Sequence, residues 1–462
     1  MENILLKAKR VHFVGIGGIG MSGLALILKD KGFKPQGSDI SDNSNVKMLE
    51  AEGIPVYIGH SASFINSDID LVVYSSAVKE DNPEIREAEK QGIPLLKRGQ
   101  LLALLSRDRK TIAIAGSHGK TTTTSLIGYL LTSLRYDPTV FIGGVSLNYS
   151  RNAWNGKDYF VIETDESDGS FLYYNPWCSL ITNVDYEHID YYKNMGALRD
   201  SFLQFASQTK EKIFVWGDDA NIKDFLGLDR VVTYGLSEGN TIRAVNLVFY
   251  STHTCFDLVI GTKQIISVKS PLLGVHNVLN LIAVLGLFDY LGEDLMKVLS
   301  LLANYKGVKR RFQIKGTVQD ICFVDDYAHH PKEIQATLQA AKALAPKRIV
   351  AVFQPHRYSR IKLLYSEFSR CFYDCDCLVV TDIYSAGEPP VDGIDSCFLF
   401  KEISKYYGGS IYYIPRENLI REVVPLLKDG DLVIGLGAGD INLIIAKVME
   451  EYKSFSSKNI AV

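Results

Sequence analysis

Short apolar runs alternate along this chain with longer stretches of mixed character, and the runs end in small or polar residues. "VHFV" at 11–14 enters "GIGGIGMSG", and "DLVV" at 70–73 enters "YSSA". Continuous apolar runs of this length predict strands buried on both faces of a parallel sheet, with helices covering them. The alternation restarts at "TIAIAG" (111–116) and continues through "YFVIETDES", "CSLITNVD" and "KIFVWGD". Residues 240–270 then alternate without a helical break ("IRAVNLVFY", "CFDLVI", "QIISVKS") and predict a small antiparallel patch added to that sheet; "HNVLNLIAVLGLFDYLG" predicts the helix after it. A third series follows "GVKRRFQIKG": "ICFVDDYA", "RIVAVFQP", "CLVVTDIY", "SIYYIP" and "DLVIGLGAGD". The fold class is α/β, in three domains placed at 1–107, 108–308 and 309–462, the first join falling in the charged "LLSRDRKT".

Two of the strand ends are glycine-rich. The first carries Gly15, Gly17, Gly18 and Gly20 in a G-x-G-x-x-G pattern, with Asp39 about 20 residues on, where a ribose-hydroxyl acceptor belongs. Alone, this fits an NAD-type domain. The second reads "AGSHGKTTTT", tighter than the usual G-x-x-x-x-G-K-[ST] loop. Its physics survives the shortening. Gly116 and Gly119 let backbone N–H groups approach an anion, with Ser117 and His118 between them. Lys120 can neutralise phosphate oxygens, Thr121 or Thr122 can offer a hydroxyl to Mg²⁺, and a helix start adds its positive end. Glu163, Asp165, Glu166 and Asp168 crowd the next strand end, and Asp185, Glu187, His188 and Asp190 another. Such crowding is relieved by a cation. A hydride-transfer enzyme has no use for a kinase-like loop, whereas a second diphosphate ligand, such as a nucleotide sugar, explains both cradles.

Composition narrows the setting. A chain of 462 residues exceeds one ordinary core, and a net charge of −3 gives no field attracting nucleic acid or anionic membrane. No apolar run is long enough to span a bilayer, and the N-terminus reads as unprocessed. Seven cysteines without framework spacing fit a reduced, cytoplasmic setting. Cys371, Cys375 and Cys377 match no common zinc pattern and read as half-buried thiols at a helix–strand junction.

The motifs "GIGGIGMSG", "SSAVKEDNPE", "AGSHGKTTTTS", "DESDGSF", "GVHNVLN", "GVKRRF", "DDYAHHPKE", "FQPHRYSR", "YSAGE" and "GAGD", in this order, closely resemble the Mur ligases, the ATP-dependent amide-bond enzymes of peptidoglycan assembly. The likeness runs nearly end to end and is greatest to the branch that adds the first L-alanine. It implies an N-terminal Rossmann-like domain for the UDP-sugar, a central P-loop ATPase with the antiparallel patch, and a C-terminal Rossmann-like domain for the amino acid. It implies UDP-N-acetylmuramate and L-alanine as substrates, ATP and Mg²⁺ as cofactors, and a monomer or weak homodimer. Gly15, Gly17, Gly18, Gly20, Asp39 and Ser75 then serve the UDP-sugar. Gly116, Ser117, His118, Gly119, Lys120, Thr121 and Thr122 serve ATP. Thr121 and Glu166 match ligands of one Mg²⁺, and His188 matches the ligand of a second. Asn277 and Asn280 match adenine contacts; Arg311 and Asp326 match groups that reach the nucleotide. Arg357 and Arg360 match groups near the amino-acid carboxylate, with Tyr327, His329, His330 and His356 on the same side. Lys120, His188, Arg357 and Arg360 carry the catalysis by this likeness. Phe202 stands near the position of the carbamylated lysine of sister ligases.

The implied reaction joins alanine to the lactyl carboxylate of the sugar through an acyl phosphate. Three alternatives stay open on sequence: a recycling ligase that adds a preformed tripeptide, an NAD-linked dehydrogenase, and a P-loop switch protein.

Overall fold

The computed structural model describes residues 2–185, 187 and 191–460. His188 and Asp190, both singled out above, lie outside the described residues. The chain forms two compact units. One comprises Met1–Asn246, Phe256–Val268 and Leu279–Val308; the other comprises Leu247–Cys255, Lys269–Val278 and Lys309–Val462. The first sheet and most of the second belong to the former, the third sheet to the latter.

In the first sheet, β1 (Arg10–Val14), β2 (Lys34–Asp39), β3 (Val56–Ile58), β4 (Leu71–Tyr74) and β5 (Leu95–Lys97) are parallel, in the order β3-β2-β1-β4-β5. The order reverses between β1 and β4, which opens a crevice at their C-terminal ends. Gly15 follows β1 and Ser75 follows β4 at this reversal. β1 is buried on both faces from Val11 to Val14, polar His12 included, and the helix Ile19–Asp30 buries Leu24 to Leu28 beside it.

The second sheet contains β6 (Lys110–Ala115), β7 (Thr139–Phe141), β8 (Ala153–Trp154), β9 (Tyr159–Glu163), β10 (Cys178–Ile181), β11 (Ile213–Trp216), β12 (Val231–Gly235), β13 (Ile242–Phe249), β14 (Thr254–Ile260) and β15 (Lys263–Ser270). Their order is β15-β14-β13-β12-β11-β10-β6-β9-β7-β8. β6, which feeds the lysine-bearing loop, is parallel to β9 and β10 on either side. The strands of 242–270 extend one edge. β13 joins β12 in parallel, through Tyr234 opposite Ile242, so the added strands continue the sheet.

The third sheet holds β16 (Gln313–Val318), β17 (Ile321–Asp326), β18 (Arg348–Phe353), β19 (Cys377–Val380), β20 (Ser410–Tyr413) and β21 (Asp431–Leu436). The order is β16-β17-β21-β18-β19-β20, parallel except for β16 against β17. Its C-terminal edge presents Tyr327 to His330 and Gln354 to Arg360.

Cys371, Cys375 and Cys377 lie at the helix–strand junction, but they are fully rather than half buried, at 5% exposure or less. Burial pushes the Cys375 thiol up to about 12, so it packs as an apolar group. No helix among the described residues is long and apolar enough to cross a membrane.

Candidate active site

The first cradle is a turn built on β1. Gly15 has φ +81°, and the N–H groups of Gly15 and Ile16 both donate to the Ser38 carbonyl at 2.9 Å. A side chain at Gly17 would meet Asp39, Asn43 and Val46 within 2.9 Å. Asp39 stands beside the cradle as the spacing predicts, but its carboxylate faces backbone. It accepts from Gly17 N–H at 2.8 Å and from Ser41 N–H at 3.0 Å. In this structure Asp39 shapes the loop. Gly18 caps the helix Ile19–Asp30, and Ser75 faces Gly15 across the crevice.

Behind the cradle lies a buried polar network to which the sequence reading gave no role. Glu84 is fully buried. It accepts from Ser38 Oγ at 2.7 Å, lies 2.7 Å from His12 Nε2, and lies 2.9 Å from His60 Nδ1. Burial raises this carboxyl, but the hydrogen bonds from His12, Ser38 and His60 outweigh that and hold it below the usual range. Glu84 ends the quoted motif "SSAVKEDNPE"; the buried face of a polar strand gave no apolar signal to mark its partners.

The second cradle joins β6 to the helix Lys120–Ser133. Gly116 and Gly119 have φ +130° and +86°, and a Cβ at Gly119 would come within 2.6 Å of the Asn280 side chain. The loop is pinned from the β10 end. Asn183 Oδ1 accepts from His118 N–H at 2.9 Å, and Ser117 Oγ donates to the Asp185 carbonyl at 3.0 Å. Lys120 Nζ donates to the Gly116 carbonyl and, at 2.7 Å, to Glu166 Oε1. Burial disfavours its charge, yet Glu166 overcomes this and raises the ammonium above its ordinary value. Lys120 is therefore a fixed cation at the centre of the loop.

The acidic strand end divides in two. Thr121 Oγ1 donates to Glu163 Oε1 at 2.9 Å, and Glu163 also accepts from Gly143 N–H. Glu163 and Glu166 thus face the lysine loop. Asp165 turns instead to Arg98, with Nη2 at 2.5 Å, and Asp168 lies 3.8 Å from the same nitrogen. Burial would raise Asp165, but Arg98 holds it down at about 2. Spacing alone does not show which carboxylates face the loop, because Arg98 comes from a distant stretch of chain. Thr122 sits in the first helical turn. Phe202 is buried in apolar core, 5.2 Å ring to ring from Phe171.

In the other unit, Asp326 accepts from Phe312 N–H at 2.6 Å and from Ala328 N–H at 2.7 Å. It braces the "RRF" turn against the loop after β17. Burial pushes its carboxyl up to about 6, against the pull of Arg311. Arg310 and Arg311 both lie over the Tyr327 ring, at 5.0 and 5.3 Å from its centroid. His329 Nδ1 lies 2.9 Å from the Tyr327 carbonyl, and His330 caps the helix Pro331–Ala343. His329 and His356 are edge to face at 5.7 Å, and His356 stacks on Tyr384 at 5.7 Å. Burial and the neighbouring arginines keep both imidazoles neutral, His356 falling to about 3. Arg360 reaches into this group; Arg357, nearly half exposed, points toward Glu388 at 3.9 Å. Asn277 donates to the Leu273 carbonyl at 2.8 Å.

Three family models match in sequence: "Mur ligase family, catalytic domain" over residues 10–110, "Mur ligase middle domain" over 114–288, and "Mur ligase, glutamate ligase domain" over 310–439. The chain belongs to the Mur ligase family. The UDP-N-acetylmuramate–L-alanine ligase of Geotalea uraniireducens (strain Rf4) is 41% identical, over 97% of this chain and 99% of its own. The ligase of the same name from Carboxydothermus hydrogenoformans is 40% identical, over 96% and 97%. Among solved structures, the UDP-N-acetylmuramate-alanine ligase of Thermotoga maritima superposes with a TM-score of 0.84 at 32% identity, covering 96% of this chain and 99% of that one. A murein peptide ligase from Psychrobacter arcticus shares the fold, with a TM-score of 0.70 at 23% identity. In this chain two glycine-rich turns and the polar third-sheet edge each follow parallel strands.

Proposed function

We propose that this Mur ligase joins L-alanine to the lactyl carboxylate of UDP-N-acetylmuramate, converting ATP to ADP and phosphate. The near full-length likeness to alanine-adding ligases carries the reading, and the two dissimilar phosphate cradles support it. A dehydrogenase leaves the lysine loop unexplained. The first cradle holds the UDP diphosphate and the second holds ATP, within domains placed at 1–107, 108–308 and 309–462.

A carboxylate is a poor acylating agent because oxide leaves badly. Its oxygen attacks the γ-phosphorus, ADP departs, and an acyl phosphate results. The alanine amine then attacks the acyl carbon, loses a proton, and phosphate leaves. Lys120 and the loop N–H groups neutralise charge on the moving phosphoryl. By the family likeness, Asn277 and Asn280 match adenine contacts, and Arg311 and Asp326 match groups that reach the nucleotide; Asn280 lies beside Gly119. Thr121, Glu163 and Glu166 are hard oxygen donors, a set that suits Mg²⁺. Glu163, a candidate by spacing, thereby joins Thr121 and Glu166, which the family likeness assigns. Bound Mg²⁺ supplies charge neutralisation at the phosphates; a second ion is assigned to His188. Arg357 and Arg360 hold the alanine carboxylate beside neutral His329 and His356, with Tyr327 and His330 lining the same side. The enzyme works in the cytoplasm as a monomer or weak homodimer.

Incubation with UDP-N-acetylmuramate, ATP, Mg²⁺ and single amino acids tests this. Alanine-dependent release of ADP and phosphate is expected, with the alanyl sugar nucleotide as product. Turnover with a tripeptide but not with alanine would replace this reading with the recycling reaction.

A further inference from the structure

The last glycine of the first cradle, Gly20, lies against an arginine. A Cβ built on Gly20 would sit 2.9 Å from Arg98 Nη1 and 3.0 Å from Arg98 Cδ. The guanidinium continues past Gly20 to Asp165, with Nη2 at 2.5 Å from Oδ2. Asp165 adjoins Glu166, whose Oε1 is 2.7 Å from Lys120 Nζ. A short chain of contacts therefore runs from the helix start of one cradle to the lysine of the other. Arg98 opens the helix Arg98–Ser106, and a Cβ at the next residue, Gly99, would come within 3.0 Å of Ser170 Oγ. Buried Asn152, one residue before β8, donates to the Ile19 carbonyl at 2.6 Å, fastening the same helix start from a second side.

We infer that Arg98 is a positioning residue that couples the two cradles, and that residue 20 is glycine to let its guanidinium pass rather than to let a diphosphate approach. The inference rests on the reading that the first cradle holds the UDP-sugar and the second holds ATP. The sugar's carboxylate and the γ-phosphate must meet at reacting distance, so a rigid tie between the two cradles fixes the alignment on which phosphoryl transfer depends. Asp165, already charge-paired, serves this tie rather than a metal.

The test uses the full chain with Gly20→Ala, Arg98→Ala, Arg98→Lys and the Gly20→Ala/Arg98→Ala double variant. For each, thermal midpoint, calorimetric affinity for UDP-N-acetylmuramate, and kcat at saturating substrates are measured. Arg98→Ala should lower kcat about tenfold to hundredfold, the effect of a small misalignment, with little change in affinity for the sugar nucleotide. Arg98→Lys, which keeps the charge without the fork, should recover part of that loss. Gly20→Ala should lower the midpoint in the wild-type background. In the Arg98→Ala background the same change should be neutral or stabilising, because alanine is the better helix former once the clash is gone. An equal cost of Gly20→Ala in both backgrounds would overturn the steric argument, and unchanged kcat in Arg98→Ala would overturn the coupling. Absence of wild-type turnover would instead defeat the functional reading, while the midpoints of the four proteins would still decide the relation between Gly20 and Arg98.

Discussion

Arg360 donates from Nη1 to His356 Nδ1 at 3.1 Å. A guanidinium cannot accept, so the imidazole lone pair lies on Nδ1 and the ring proton on Nε2. Burial, then Arg360, then Arg357 and Arg310 account for the fall of His356 to about 3. Arg360→Ala removes one of these causes and leaves burial and the other two arginines. The His356 ring resonances, followed by NMR across pH, should titrate higher than in the wild type but still below an ordinary histidine. An unchanged midpoint would separate the two residues.

Arg357 starts its helix at φ +67° and ψ 133°, a backbone region that suits glycine. Strain of this kind costs about 1–3 kcal/mol and collects at functional sites. Arg357→Gly should therefore melt no lower than the wild type, while raising the KM for alanine and leaving that for ATP nearly unchanged. Arg357→Lys keeps the strain and loses the fork, so it should raise the same KM with no gain in stability. A destabilised glycine variant would show that the side chain, not the backbone, governs this turn.

Lys120→Ala should lower kcat by about 10² to 10³ or more, by analogy with removing one oxyanion donor. Affinity for UDP-N-acetylmuramate should persist, since the cradle proposed for it is a separate turn that follows β1. Near wild-type turnover would remove the lysine from the reaction.

Glu84 gives the fold an acid limit. Its folded pKa lies below its ordinary value of 4.5, so the stabilisation is complete above that value and is lost as pH falls through the folded one. Urea midpoints of the wild type should decline across this acidic window. Glu84→Gln should start about 1–3 kcal/mol lower at neutral pH, having lost charge-assisted hydrogen bonds, and should decline less steeply. Parallel curves would assign the acid sensitivity elsewhere.

The strands that carry both cradles were legible because β1 and β6 are mostly apolar and buried on both faces, with His12 as the exception in β1. β2, "KPQGSD", was not. Its buried positions hold Gly37, where a Cβ would run into the Phe13 carbonyl, and Ser38, which bonds Glu84. Small and hydrogen-bonded residues leave no hydrophobic trace. The lysine loop was readable from Gly116, Gly119 and Lys120 because the backbone chemistry is local. Asp39 was placed correctly beside its cradle, but whether its oxygens face a ligand or the turn depends on the path of residues 39–43. The division of the acidic strand end was hidden for a similar reason: Arg98, which draws off Asp165, is 67 residues away.

Each of the three sheets is drawn from one unbroken stretch of chain, β1–β5, then β6–β15, then β16–β21. During synthesis at about 5–20 residues per second, folding of this kind proceeds unit by unit from the N-terminus. The first sheet can close before the lysine loop has left the ribosome. Arg98, directly after the far strand β5, precedes its partner Asp165 by 67 residues, and Asn152, which bonds the Ile19 carbonyl, also follows the first sheet. Among the described strands, none of the early ones needs a partner from the far end of the chain.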